Sequence, residues 1–202
     1  MTPNKLFQAA GGLLAICSLN VYAATIPCAA DQTKIATAAL ANAKVMLDSI
    51  NGAIKNEDPI AIDALTKWMG VASSTQKRDV LGRLETMRNY LNQTTFICDN
   101  MSHANPKKNI FASVLPGNSY QIKLGVLFFQ TAEYGLDSQP GVIVHEFSHF
   151  LLAGGGTVDT DANGNEIYGP QKVQALAKTN PAAAQKLADA YEYVVESFYF
   201  KL

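Results

Sequence analysis

Charge is scarce in this chain. Asp, Glu, Lys and Arg make up 16% of its 202 residues, and the net charge is −1. A balance this close to neutral excludes the electrostatic footprint of a nucleic-acid or anionic-membrane binder. Past residue 23 no apolar run is long enough to cross a bilayer. There is no internal repeat and no low-complexity linker, so a single domain is expected. Histidine and cysteine are also rare, at three each. What the chain has is apolar residues, 48% of the total, which excludes a disordered polypeptide.

The first 23 residues differ from the rest. Lys5 gives a short positive start, Leu13-Leu14-Ala15-Ile16 centres an apolar stretch, and Val21-Tyr22-Ala23 offers small residues where a signal peptidase reads. Residues 1–23 are therefore expected to be a secretory signal, and residues 24–202 the working domain. Such a protein would be secreted, to the periplasm or the medium, with no membrane contact after cleavage. Cleavage removes Cys17 and leaves Cys28 and Cys98. An even count in an exported chain predicts a disulfide between them. Closing that loop stabilises the fold by roughly 4 kcal/mol in the loop-entropy model.

Local patterns divide the chain further. Residues 31–55 carry Ile35, Leu40, Leu47, Ile50 and Ile54 at helical spacing. Asp58-Pro59 starts a second helix that ends at Gly70, and a third runs from about Thr75 to Asn92. The period then changes. Tyr120, Ile122, Leu124, Val126 and Phe128 alternate with other residues, which predicts a strand, and residues 110–115 read as its partner. Asp137-Ser138 before Pro140 starts a helix expected to reach about Ala153. Helices over about 170–178 and 181–199 close the chain.

The chemistry concentrates in His145-Glu146-Phe147-Ser148-His149, on the predicted helix. Residues four apart share a helix face, so both imidazoles can reach one zinc ion. Glu146 stands about 100° round the helix, beside the metal, where it can take a proton from the attacking water. Ile143, Phe147, Phe150 and Leu151 fall on the other face and are expected to anchor the helix. Two of only three histidines in the chain form this motif. A catalytic zinc usually has three protein ligands, so one is still to be found. Asp159 and Asp161, just past Gly154-Gly155-Gly156, are candidates, and Glu192 on the last helix is their rival.

The run from Asp137 to Phe150, then Gly155-Gly156-Thr157-Val158-Asp159, then Tyr168-Gly169, resembles the aspzincin peptidases. It is most similar to their peptidyl-lysine metalloendopeptidase branch, with the deuterolysins as cousins. Leu187-Ala188-Asp189-Ala190-Tyr191-Glu192-Tyr193, Thr66-Lys67-Trp68-Met69-Gly70 and the Cys28/Cys98 pair extend the resemblance over nearly all of residues 24–202. The resemblance implies Asp159 as third ligand, beside His145 and His149, and Tyr168 as hydrogen-bond donor to the tetrahedral oxyanion. It also implies that Asp189 and Glu192 line a pocket for a lysine just after the scissile bond. The bland alternatives are an ordinary packed Tyr168 and a surface pair between Lys186 and Asp189. Here Asp159 and Tyr168 are separated by an extra stretch, residues 160–167.

The expected fold is α+β: a helix-rich, single-domain zincin with a small antiparallel sheet over the His-Glu helix. The strand at 120–129 is expected to be the edge that holds an extended peptide. The expected function is zinc-dependent hydrolysis of internal peptide bonds by a monomer carrying one Zn²⁺ per chain, with protein or peptide substrates. The competing class is a degenerate zinc module that acts by binding a partner. Glu146 argues against it, because a purely structural zinc has no use for that carboxylate.

Overall fold

The computed structural model describes residues 27–98, 110–115, 117, 120–153 and 155–202. The expected signal, residues 1–23, lies outside the described residues, as does Gly154. Helix α1 (Ala30–Lys55) buries Ala36, Ala39, Ala43, Met46, Leu47, Ile50 and Ile54, a stripe recurring every three or four residues. Helix α2 (Pro59–Met69) starts where the Asp58 carboxylate accepts the amide of Ile60 at 2.8 Å. Helix α3 (Ser74–Tyr90) opens on a capping box between Ser73 and Gln76 and buries Val80, Leu84 and Met87.

Strand β1 (Thr95–Cys98) follows, an element with no counterpart in the sequence-based expectation. It pairs in parallel with β3 (Gln121–Leu124), whose other side pairs antiparallel with β2 (Ala112–Val114). The sheet is therefore mixed, not antiparallel. Its order β1-β3-β2 corrects a second expectation. β3 is central and has no free edge for a peptide; the edge beside the cleft belongs to β2. The strand predicted to reach residue 129 stops at Leu124. Gly125 packs so closely on Ile110 that a Cβ there would lie 2.1 Å from its carbonyl oxygen. The chain then turns into helix α4 (Val126–Gln130), which buries Phe128.

Helix α5 (Gln139–Ser148) carries the motif and is buried along its whole length. Ser138 caps it, its hydroxyl accepting the Gly141 amide at 3.1 Å. It ends sooner than expected, with His149 as the capping residue. Phe147 and Phe150 are buried against Tyr120, with ring centroids 5.4 and 5.3 Å away. Leu151 departs from expectation: beyond the helix end it is 65% exposed and outside the buried core.

Helix α6 (Pro170–Thr179) precedes another correction. The expected helix at 181–199 is two, α7 (Pro181–Ala184) and α8 (Ala188–Phe200). The break has a cause. Lys186 O accepts the amide of Val158 at 2.9 Å, and the Ala188 amide donates to Val158 O at 3.1 Å. The backbone between the helices is thus spent on the Val158 loop. α5 packs between α1 and α8, and Trp68 Nε1 donates to Ser197 Oγ at 2.8 Å, fastening α2 to α8. A disulfide joins Cys28, before α1, to Cys98 at the end of β1. The architecture is a helix-rich α+β domain with one small sheet. Among the described residues no helix is long and apolar enough to cross a membrane.

Candidate functional site

His145 and His149 stand one turn apart at the C-terminal end of α5, their ring centroids 5.1 Å apart. The chain turns after His149 and returns through Thr157, which is tied to the end of the helix by its amide, its hydroxyl and its carbonyl. Its amide donates to Ser148 O at 3.2 Å. Its hydroxyl lies 2.6 Å from Ser148 Oγ. Its carbonyl lies 2.9 Å from His149 Nδ1. Two residues on, Asp159 arrives between the histidines. Its Oδ1 is 3.3 Å from His145 Nε2 and its Oδ2 is 3.4 Å from His149 Nε2.

These separations test the fit to a metal. Atoms held about 2.0–2.2 Å from a tetrahedral zinc lie roughly 3.3–3.5 Å from one another. The donor set is of the right chemistry, two imidazoles and a carboxylate, and all its ligand atoms lie within 4.8 Å of one another. Asp159 Oδ1 is buried with no hydrogen-bond partner, as a metal-facing oxygen would be. Both rings are also held from behind. His149 Nδ1 faces Thr157 O, and His145 Nδ1 faces Asp189 Oδ1 at 2.9 Å and Glu192 Oε2 at 3.2 Å. That leaves both Nε2 atoms for a cation, the arrangement that orients metal-bound histidines generally. The residues fit zinc.

Asp161 is elsewhere. It is solvent-facing, and its Oδ1 accepts the amides of Asn163 and Asn165 at 2.8 and 2.9 Å. The extra stretch forms a small loop in which Ile167 N donates to Asp159 O at 2.8 Å. This brings Tyr168 back to the site, its ring 6.4 Å from that of His145. Burial and the neighbouring Asp159 carboxylate raise the Tyr168 hydroxyl pKa. Glu192 does not reach His149; it lies behind His145, on the other side from Asp159. Nor does Asp189 pair with Lys186 on a solvated surface. It is buried, and its Oδ2 accepts the Gly169 amide at 2.8 Å.

His145, His149, Asp159, Tyr168, Asp189 and Glu192 line one cleft of about 800 Å³. Glu146 lies in it, and burial pushes its carboxyl up to about 7 against the pull of His145. β2 forms one wall through Ala112, Ser113 and Val114, and Asp137 and Val142 lie along α5 and its start. Sequence reading missed three contributors. Thr157 was in view only as part of a motif, and its bonds to Ser148 and His149 are contacts across a turn. Asp137 read as a helix-start residue but lines the cleft. Glu196, wholly buried, accepts Ser138 N at 2.8 Å and Asp137 N at 3.1 Å, so it binds α8 to the start of α5.

Comparison with known proteins agrees with this geometry. The family model described as lysine-specific metallo-endopeptidase matches residues 55–196. The chain is 32% identical to the peptidyl-Lys metalloendopeptidase of Pleurotus ostreatus over 133 residues, 65% of this chain and 72% of that one. It is 30% identical over 159 residues to an extracellular protease of Aeromonas hydrophila, of which it spans 42%. The solved zinc peptidase from Grifola frondosa superimposes with a TM-score of 0.71 at 27% identity, covering 84% of this chain and 97% of that one. A catalytic helix, a returning aspartate loop and a match across most of the sequence lead to one conclusion: the chain belongs to the aspzincins, the lysine-specific metallo-endopeptidase family of zinc peptidases.

Proposed function

We propose that this chain is a secreted endopeptidase that cuts peptide bonds immediately before lysine, with one zinc ion held by His145, His149 and Asp159. The observation that carries the reading is the spacing of Asp159 from the two imidazoles, 3.3 and 3.4 Å, in a cleft that also holds Glu146. When bound, zinc supplies a Lewis acid that polarises the scissile carbonyl and makes water acidic. Glu146 takes the proton of the attacking water and delivers it to the leaving amine. Tyr168 donates a hydrogen bond to the oxygen that becomes negative, a contact of the kind worth roughly 3–4 kcal/mol in other enzymes. The substrate backbone lies along the β2 edge, adding a strand beside Ala112–Val114. The acidic end of the cleft, where Asp189 and Glu192 stand, takes the lysine side chain.

The disulfide and the likeness to an extracellular protease support export, and the leader at residues 1–23 is proposed to direct it. A monomer acting on proteins or peptides is the proposed working form. The test is digestion of casein and of an unbiased peptide mixture, with and without a chelator, read by mass spectrometry. Chelator-sensitive cuts with lysine enriched just after the scissile bond are expected. A metal-loaded chain that cuts nothing returns the reading to a binding module, and cuts spread over all residue types remove the lysine preference.

A further inference from the structure

Of the three proposed ligands, only Asp159 is not carried by α5 or its capping residue. Its place depends on the course of the chain after His149, where residues 150–153 and 155–157 belong to no helix or strand. The far end of this turn is fixed by backbone. Val158 N donates to Lys186 O at 2.9 Å, and Val158 O accepts the Ala188 amide at 3.1 Å.

The near end is held by side chains. Gly155 has a φ of 80°, and a Cβ there would lie 3.3 Å from Nε, Cζ and Nη1 of Arg83 alike. Three bonded atoms of one plane at one distance place that point over the face of the guanidinium, not at its edge. The planar head of arginine can lie flat on a backbone turn in this way, whereas a lysine ammonium cannot. On the next residue, Leu151 covers Gly156, where a Cβ would meet its Cδ2 at 2.7 Å.

Arg83 is half-buried on α3 and has a second neighbour, the hydroxyl of Tyr191 on α8. Burial raises the pKa of that hydroxyl, and the guanidinium pulls it back. Tyr191 in turn donates to Gln185 O at 3.2 Å, one residue before the Lys186 carbonyl that holds Val158. Both ends of the turn thus lead back to one guanidinium. On the same helix Lys77 pairs with Glu57 and Arg88 with Asp48, but Arg83 forms no salt bridge among the described residues. Its head is engaged by the glycine turn and Tyr191 instead.

We infer that Arg83 is a positioning residue for the zinc site, seating the glycine turn so that the loop beyond it brings Asp159 between His145 and His149. The inference rests on the reading of Asp159 as third ligand and names what holds that ligand in place from outside the cleft.

The test sets zinc release to a competing chelator beside the melting of the metal-free and zinc-bound chain. Arg83→Met keeps an apolar stem and removes the planar head. It should speed zinc release by about tenfold or more, the scale on which outer-shell support of a metal ligand acts. The Tm of the zinc-bound chain should fall further than that of the metal-free chain. Arg83→Lys is the milder second variant: it keeps the charge beside Tyr191 but has no flat face, so it should release zinc as readily as Arg83→Met. Wild-type zinc release in Arg83→Met, or equal falls in the two melting temperatures, would overturn the inference and leave Arg83 a packing residue of α3. Full recovery of zinc retention by lysine would also overturn it. An Asp159→Ala chain that retains zinc as the wild type does removes the ligand reading instead, and the inference with it.

Discussion

The carbonyl of Thr157 lies 2.9 Å from Nδ1 of His149, so the loop that delivers Asp159 also orients the imidazole beside it. Two of the proposed ligands are held by one residue that is not itself a ligand. The Thr157 hydroxyl adds a second hold through Ser148 Oγ at 2.6 Å, and Ser148 in turn donates to His145 O at 2.6 Å.

Thr157→Val should therefore weaken zinc retention and lower stability by about 1–3 kcal/mol, because it leaves the buried Ser148 hydroxyl short of a partner. Thr157→Ser restores the hydroxyl and should recover most of both. Chelator competition and thermal melting measure the two effects. Equal zinc retention in Thr157→Val and wild type would show that the hydroxyl does not serve the site.

Asp159→Ala should lose zinc and activity together, while Asp161→Ala keeps both, since Asp161 closes only its own exposed turn. Metal content by mass spectrometry after dialysis, beside peptide cleavage, checks the pair. The reverse pattern would move the third ligand to Asp161. Metal lost only from Glu192→Ala would discard the aspartate model.

Glu146→Gln should bind zinc as the wild type does and lose kcat by about 10²–10⁴-fold, because a neutral amide cannot accept the water's proton. Substantial turnover by a fully zinc-loaded Glu146→Gln chain would remove Glu146 from the role of base.

Metal-free protein should respond to pH in a defined direction. Burial works to lower the His145 pKa, but Asp159, Asp189 and Glu192 outweigh it and hold the ring well above its ordinary 6.5. A raised folded-state value contributes stability that is full below 6.5 and is lost as pH rises through the folded pKa. Glu146 acts in the same sense: its contribution is present below 4.5 and is lost as pH climbs through about 7. Burial lowers the His149 pKa, so its opposing contribution is confined below 6.5. As pH rises above about 6.5, through the range in which Glu146 and then His145 lose their protons, the metal-free chain should thus lose stability. Zinc needs a deprotonated His145, so it should bind more tightly over the same range. Melting curves with and without zinc test this, with a zinc-induced rise in Tm that widens as pH increases. A rise that narrows would contradict it.

Much of this protein is written locally. Helices α1, α2 and α3 follow from apolar spacing and from caps such as Asp58 and Ser73, which act within a turn of the residue concerned. The placing of His145 and His149 on one face needs only the helical period, and the aspzincin resemblance of the motifs needs only their order. Tertiary structure decided the rest. β1 was invisible because its Phe96 and Ile97 find partners only in β3, and the central place of β3 depends on strands that sequence spacing does not order. The end of α5 at His149 and the break before α8 were set by hydrogen bonds from the Thr157–Val158 loop, which compete with helix continuation from outside the helix. The same cause explains the site. Periodicity places Asp189 and Glu192 on one helix face, but only the packing of α8 against α5 turns that face toward the back of His145. A side chain's address on its own helix is a local property, whereas the atom it meets is chosen by whichever element the core brings alongside.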